Sequence, residues 1–308
     1  MRCFYSPGYY LPLPEGHPFP MVKFPLAHEM LLASGAVEAA DVEEVIPCAR
    51  EHLERVHTPE YLDRLERGEL TSREATVLGL PPSPELFARC AREVEGTRRT
   101  ARAALAEGVA ANLAGGTHHA FADRGEGFCV LNDVAVAVRD LQTEQPGLRI
   151  MVVDTDAHQG NGTHALLGTD PHVFTYSIHV AANYPSRKVA GSLDVGLERF
   201  VAGSVFLDAL RTSLPPAVEA FRPDLAIWIS GADPHQNDRF GQMQLTLRDM
   251  SARDAFVLGL FVPREIPVAV LYGGGYNREL NNTARLHRNS VEAAARLARG
   301  QEPAVADE

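Results

Sequence analysis

The stretch Met151–His164, MVVDTDAHQGNGTH, joins the pattern of a buried strand to side chains that bind metals. Its apolar residues end abruptly, and Asp154, Asp156 and His158 follow at every second position. On an extended segment, residues two apart face the same way, so these side chains should point to one side. Carboxylates and imidazoles are ligands that divalent metals take in proteins. The spacing therefore predicts a metal site at the end of this strand.

A third ligand is predicted from a later part of the chain. Asp233 comes shortly after another apolar run, in the sequence SGAD. In an open parallel sheet, ligands bind beyond the carboxyl ends of the strands, so Asp233 should meet Asp156 and His158. Three protein ligands leave a position for water or substrate, as in catalytic zinc sites. Because two of the three are carboxylates, Fe(II), Mn(II) and Co(II) stay open as alternatives to zinc.

Two glycine-rich segments carry further reactive groups. His118 and His119 are adjacent in the loop Gly115–Asp133, and Tyr276 follows three glycines in YGGGYN. Imidazole titrates near neutral pH and serves as a general acid or base, and a phenol can stabilise an oxyanion. Taken alone, each segment is explained more simply as a loop whose polar or aromatic side chains have a structural role. Beside a metal site, they become candidates for acid–base catalysis and oxyanion stabilisation.

The remaining patterns predict alternating strands and helices. Four short apolar runs read as buried strands: Ile150–Val153, Val173–Ser177, Leu225–Ile229 and Val268–Leu271. Thr58 and Ser83, each followed by proline, are predicted helix N-caps, as are Ser204 and Thr246 for two later helices. Continuous apolar strands that alternate with helices predict a parallel sheet covered on both faces.

We therefore expect an α/β fold: a single doubly wound domain over residues 1–308, with a central parallel sheet flanked by helices. Residues 1–25 are rich in proline and predict an irregular N-terminal segment on the surface. Residues 300–308 are polar and predict a frayed tail.

Composition limits the class of partner and the compartment. The chain of 308 residues has a formal net charge of −11, which argues against direct nucleic acid binding. It has no run of 18 apolar residues and no apolar N-terminal leader, so we expect neither a membrane partner nor secretion. Its four cysteines are scattered, which argues against a disulfide framework and a cysteine zinc site and favours the reducing cytoplasm. The oligomeric state is left open.

Six motifs in order resemble the histone deacetylase family of the arginase–deacetylase fold: GGTHHA, GFCVLND, VDTDAHQGNGT, FTYSIH, GADP and GGGYN. The resemblance runs from about Tyr5 to Arg285. The segments HPFPMVKF, DAHQGNG and NYPSRK are most similar to class IV-type deacetylases and their bacterial relatives.

The resemblance implies a role for each reactive group. Asp156, His158 and Asp233 would bind the catalytic metal, usually Zn²⁺, with Fe²⁺ or another divalent ion as the alternative. His119 would be the proton shuttle, and His118 would be its electrostatic and orienting partner. The arginase-like relatives place a metal-bridging Asp where this chain has glycine at position 160, which argues against a binuclear site.

The resemblance also implies supporting roles. Tyr276 would be the transition-state phenol. Asp154 would orient the first histidine of the pair and, with Ser177, contact a structural monovalent cation, typically K⁺. Class I enzymes have an Asp beneath the shuttle histidine where this chain has Asn161. This neutral partner should leave His119 less basic than a carboxylate would.

Four residues are expected at the substrate tunnel. Gly127 and Phe128 would line it, with Tyr184 or Phe240 as the opposite wall. Leu or Met often stands at the Phe240 position in the family, so the phenylalanine should reshape the tunnel and leaves the acyl length open.

The function expected is metal-dependent hydrolysis of an acylated amine, most simply acetyl-lysine in a protein or peptide. Two nearby alternatives are deacetylation of a small acetylated polyamine and removal of longer acyl groups from lysine. An alternative of another class is a catalytically inactive module that binds acyl-lysine.

Overall fold

The computed structural model describes residues 1–303 and is organised around a sheet of eight parallel strands, with two further short strands paired beside it. The strands are β1 (Cys3–Tyr5), β2 (Val42–Glu44), β3 (Val109–Asn112), β4 (Ile150–Asp154), β5 (Val173–Val180), β6 (Leu193–Leu197), β7 (Val201–Ala202), β8 (Leu225–Ile229), β9 (Met243–Gln244) and β10 (Val268–Leu271). The α-helices are α1 (Lys23–Ala33), α2 (Arg50–Leu53), α3 (Pro59–Glu66), α4 (Ser72–Leu78), α5 (Pro84–Glu107), α6 (Asp133–Glu144), α7 (Asn161–Leu167), α8 (Gly203–Phe221), α9 (Leu247–Phe261) and α10 (Leu280–Ala298).

The order of the strands explains why distant loops meet. The large sheet runs β2-β1-β3-β10-β8-β4-β5-β6, and every neighbouring pair is parallel. The loops that carry the candidate groups follow β3, β10, β8 and β4, which are consecutive neighbours in the middle of the sheet. All residues of these four strands are buried, so the loops stand on a rigid apolar base.

Helices pack against the sheet in two groups. Contacts join α1 to α10, α10 to α9 and α9 to α8 in one row, while α5 packs on α3 and α6, and α6 packs on α7. Two rows of helices supply the cover that strands buried on both faces require. The prediction of a doubly wound α/β fold with a parallel sheet is confirmed.

Three of the four predicted N-caps are confirmed. Thr58 and Ser83 accept hydrogen bonds from the backbone at the starts of α3 and α5, and Thr246 forms a capping box with Asp249 at the start of α9. The prediction for Ser204 is wrong. The strand β7 leads directly into α8 through Ala202, so Ser204 already lies inside the first helical turn.

The N-terminal segment differs from the prediction for residues 1–25. β1 is a buried strand of the central sheet, paired with β2 and β3, and α1 begins at Lys23. A three-residue strand directly before a proline-rich stretch is too short to show a periodic pattern. At the other end, α10 stops at Ala298 and residues 301–303 form no helix or strand. The rest of the predicted tail, residues 304–308, lies outside the described residues.

Within residues 1–303, no helix has both the length and the apolar composition that crossing a lipid bilayer requires.

The two capping assignments can be tested against each other. Thr246→Ala removes the side chain that accepts the Asp249 backbone N–H, so the free energy of unfolding should fall by about 1 kcal/mol. Ser204→Ala removes no cap and should change it by less than about 0.5 kcal/mol. Urea unfolding followed by circular dichroism measures both. Equal losses for the two variants would show that the assignment of the caps is wrong.

Candidate active site

Three side chains converge beyond the carboxyl ends of β4 and β8. Asp156, His158 and Asp233 place one ligand atom each within 4.8 Å of the others, and all three side chains are buried. Nδ1 of His158 lies 3.0 Å from Oδ1 of Asp156 and 2.8 Å from Oδ2 of Asp233. The three residues predicted as metal ligands are therefore brought together by the fold.

Backbone donors fix both carboxylates in place. The N–H of Gly274 donates to Oδ2 of Asp156 at 2.7 Å, and the N–H of Ala157 donates to Oδ1 of Asp233 at 2.9 Å. The N–H of His158 donates to Oδ1 of Asp156 at 2.9 Å. These bonds hold the acids while one oxygen of each still faces the imidazole.

The alternation along a strand that predicted this grouping is only partly observed. β4 ends at Asp154, so Asp156 and His158 lie in the following turn and not on an extended strand. Asp154 faces another way, because its Oδ2 lies 2.6 Å from Nδ1 of His118. The turn is held by hydrogen bonds such as that from the Asp156 N–H to Oδ1 of Asp154, at 3.1 Å.

The chemistry of this donor set fits a divalent cation. Two buried carboxylates repel each other, and burial followed by the charge of Asp156 raises the pKa of Asp233 to about 7. One imidazole cannot neutralise both acids, whereas a divalent ion can. Two oxygen donors and one nitrogen donor suit Zn²⁺, Fe²⁺, Mn²⁺ and Co²⁺. Asp156, His158 and Asp233 would hold the ion.

The adjacent histidines each have a different partner. Nδ1 of His118 lies 2.6 Å from the carboxylate of Asp154, and Nδ1 of His119 lies 2.7 Å from Oδ1 of Asn161. Because an amide oxygen only accepts, the bond to Asn161 assigns the Nδ1 proton to His119 and leaves Nε2 as an acceptor. The ring centroids of the two histidines are 4.1 Å apart.

These partners separate the proton affinities of the pair. Burial opposes charge on His118, but Asp154 and Asp156 outweigh it and raise the pKa of His118 to about 9. Burial, then the positive charges of His118 and His158, holds the pKa of His119 well below its usual range. His119 is therefore neutral near pH 7, in the state in which a histidine can accept a proton.

Tyr276 closes the other side of the cluster. It follows the glycine-rich turn after β10, and its side chain is buried. Burial, then the charges of Asp156 and Asp233, raises the pKa of Tyr276 well above its usual range. The phenol therefore keeps its proton and can donate a hydrogen bond.

The expected tunnel is a cavity of about 310 Å³ that contains His119 and His158 in its wall. All four residues expected at the tunnel line it together with Tyr276: Gly127, Phe128, Tyr184 and Phe240. The ring centroid of Phe128 lies 5.6 Å from that of Tyr276 and 6.4 Å from that of Phe240. Tyr184 packs edge-on against His119, with the two ring centroids 4.9 Å apart.

The backbone of the tunnel wall is specialised at two adjacent residues. A Cβ on Gly127 would lie 2.8 Å from ring atoms of His119 and of Tyr184, so only glycine fits. Phe128 has a positive φ of 67°, which costs a non-glycine residue about 1–3 kcal/mol. Its N–H donates to the carbonyl of Leu78 at 2.7 Å, and this bond holds the ring in the wall.

A smaller inner cavity of about 30 Å³ shares His119 and Tyr276 with the wall of the tunnel. Lys23 lines it, and no pattern in the sequence predicted a role for this residue. The lysine is buried, its Nζ donates to the carbonyl of Gly273 at 3.1 Å, and burial lowers its pKa to about 8. The motif HPFPMVKF contained the signal, but a buried lysine cannot be recognised without its long-range contacts.

Other supporting residues were also missed. Asp133 accepts hydrogen bonds from the N–H groups of Gly116 and Thr117, at 2.9 and 2.8 Å, and so holds the loop before the histidine pair. Asp238 and Arg239 contact the backbone of Tyr276. Each acts through backbone atoms of a distant segment, which no local pattern in the sequence reveals.

The two residues expected at a monovalent cation lie side by side. Asp154 of β4 is paired in register with Ser177 of β5. The hydroxyl of Ser177 lies 2.9 Å from Nδ1 of His179.

Comparisons with known proteins place this chain in a family. Residues 17–294 match the family model described as the histone deacetylase domain. An uncharacterized protein of Picosynechococcus sp. is 39% identical over 283 residues, which cover 92% of this chain and 94% of that protein. Histone deacetylase 2 of Arabidopsis thaliana is 27% identical and covers 95% of this chain and 78% of its own. The acetoin utilization protein AcuC of Bacillus subtilis is 32% identical, with 79% and 68% covered.

A solved structure shares the architecture. The crystal structure of an HDAC homologue complexed with SAHA superposes with a TM-score of 0.80 over 98% of this chain and 84% of that chain, at 23% identity. The fold is therefore that of the arginase–deacetylase group. The chain belongs to the histone deacetylase family.

Gly274 offers a test of the metal site. A Cβ there would collide with the carboxylate oxygens of Asp156 and Asp233. We therefore expect Gly274→Ala to bind zinc with an affinity at least about tenfold lower. Gly259→Ala in α9 is the matched control, because nothing lies within 4 Å of its added Cβ. Metal content after dialysis against graded zinc measures both. Undiminished zinc binding by Gly274→Ala would argue against these carboxylates as ligands.

Proposed function

We propose that this protein is a metal-dependent amidohydrolase that removes an acetyl group from an acylated amine, most simply the side chain of acetyl-lysine in a peptide. One observation supports this most. Three metal-type ligands, the neutral His119 and the protonated Tyr276 converge at one cavity that is lined by aromatic rings. Amide hydrolysis needs these three kinds of group together.

Each group at the site has a separate role in the proposed reaction. When bound at Asp156, His158 and Asp233, Zn²⁺ would polarise the amide carbonyl and lower the pKa of a water molecule. Nε2 of His119 accepts the proton of the attacking water and then delivers it to the leaving amine. The hydroxyl of Tyr276 donates to the oxyanion of the tetrahedral intermediate.

The other polar groups keep this arrangement in place. The carboxylate of Asp154 orients His118, whose positive charge disfavours a second charge on His119 until the proton is transferred. Asn161 keeps Nε2 of His119 directed at the reacting atoms by binding Nδ1. A structural K⁺ beside Asp154 and Ser177 is part of the proposal. A cytoplasmic location is also part of it, since the four cysteines are free and buried.

The size of the inner cavity favours a short acyl group. A lysine attached to a peptide must enter from the solvent side, so its acyl end points inward, past the reacting carbonyl. The inner cavity has about 30 Å³, and a single water molecule needs about 10–15 Å³ measured in this way. This space accepts the methyl group of acetate and not a long hydrocarbon chain.

The charges at the tunnel favour a peptide over a polyamine. The described residues that line the 310 Å³ cavity include no aspartate or glutamate, and they include Arg239. A cationic polyamine would meet a guanidinium here and no carboxylate.

The substrate class can be tested with three acylated amines. The zinc-loaded protein should release free amine from an acetyl-lysine peptide faster than from a long-chain acyl-lysine peptide or an acetylated polyamine. A chelator should abolish turnover, and zinc should restore it. Faster turnover of the long-chain peptide or of the polyamine would show that this compound represents the preferred substrate class. Binding of the acetyl peptide without turnover of any substrate would favour the inactive binding module.

Tyr276→Phe tests the oxyanion role. The variant should lose about 10²–10³-fold in kcat, because it removes one donor to the oxyanion, while it binds as much zinc as the parent protein. Tyr10→Phe is the control, since Tyr10 is exposed and lies outside the lining of the tunnel. Steady-state kinetics with the acetyl-lysine peptide measure both. Near-full turnover by Tyr276→Phe would refute the role.

A further inference from the structure

The turn Asp238–Gly241 connects the tunnel wall to Tyr276. Oδ1 of Asp238 accepts hydrogen bonds from the N–H groups of Phe240 and Gly241, at 2.8 and 3.0 Å. Oδ2 of the same carboxylate accepts the N–H of Tyr276 at 2.6 Å. One carboxylate thus binds the backbone of the tunnel-wall residue and the backbone of the phenol residue.

The next residue in this turn binds the carbonyl group of Tyr276. Nε of Arg239 donates to the carbonyl of Tyr276 at 2.9 Å, and its guanidinium also donates to the carbonyl of Pro18. Asp238 further pairs with Asn277 in an isolated antiparallel bridge. Both backbone polar groups of Tyr276 are therefore bound by two consecutive side chains.

Tyr276 needs such support because of what precedes it. Gly273, Gly274 and Gly275 have no side chains that can pack, and two of them have positive φ values of 75° and 153°. A run of glycines has more conformational freedom than other residues and fixes the following residue poorly. Hydrogen bonds to Gly115 and Asp156 hold the start of the turn, so the position of Tyr276 itself depends on the bonds from Asp238 and Arg239.

We propose that Asp238 is a positioning residue that fixes the phenol of Tyr276 relative to the reacting carbonyl and to the tunnel wall at Phe240, with Arg239 as its support. This inference rests on the proposed function, in which Tyr276 donates to the oxyanion. The hydrogen bonds to the carboxylate come from backbone N–H groups, so it acts on the reaction through Tyr276.

A double-mutant cycle separates this role from a merely structural one. Asp238→Ala should lower kcat for the acetyl-lysine peptide by about 10–100-fold with little change in KM, because a displaced donor weakens only the transition state. In the Tyr276→Phe background, the same substitution should cost less than about twofold, since the group that it positions is gone. Asp238→Asn has one oxygen, which can accept either the N–H of Tyr276 or the N–H groups of Phe240 and Gly241, so its kcat should fall between those of Asp238→Ala and the parent protein.

Asp249→Ala is the matched control. Asp249 likewise accepts a backbone N–H with its carboxylate, at the start of α9, and it lines neither cavity at the site. This variant should lose stability and leave kcat unchanged. If Asp238→Ala loses the same factor in both backgrounds, it does not act through Tyr276 and the inference is overturned.

A second readout keeps the inference separate from the proposed reaction. In zinc-loaded protein made with fluorotyrosine, the ¹⁹F resonance missing from Tyr276→Phe identifies Tyr276. Asp238→Ala should shift or broaden this resonance, and Asp249→Ala should not. An unchanged resonance in Asp238→Ala would overturn the inference, even in a protein that hydrolyses none of the substrates. A changed resonance without turnover would uphold the positioning and reject the proposed function.

Discussion

The carboxylates of Asp156 and Asp233 are buried side by side, and this repulsion is the constraint on which the rest of the site depends. Burying two like charges is unfavourable unless a cation or bound protons neutralise them. The imidazole of His158 lies 2.8–3.0 Å from both acids, which raise its pKa, but its single positive charge can compensate only one of the two carboxylates. A divalent ion bound between these side chains would relieve this repulsion, and the relief would contribute to its affinity for the site.

The sheet holds this arrangement in place. Four adjacent strands, β3, β10, β8 and β4, are buried along their whole length, and each ends in a loop that carries part of the site. The acids cannot turn away, because backbone N–H groups of Ala157 and Gly274 occupy their outer oxygens. The same rigidity separates the two histidines, since His118 has a carboxylate as its partner and His119 has an amide.

Much of this could be predicted from the sequence, because it depends on residues that directly follow apolar runs. The bounds of β8 and β10 were predicted without error, and Asp233 was placed beside Asp156 from its position after β8 alone. The missed features depend on long-range contacts. β1 is too short for periodicity, Lys23 is buried by segments far away in the chain, and Asp238 acts on the backbone of Tyr276, 38 residues later.

The proposed chemistry depends most on a single ion held by Asp156, His158 and Asp233. Anomalous diffraction at the zinc edge, from crystals of the zinc-loaded protein, tests this directly. We expect one strong anomalous peak that all three side chains contact, with His158 bound through Nδ1. An active zinc-loaded protein whose map shows no peak between these side chains, or a peak held by other residues, would contradict the account.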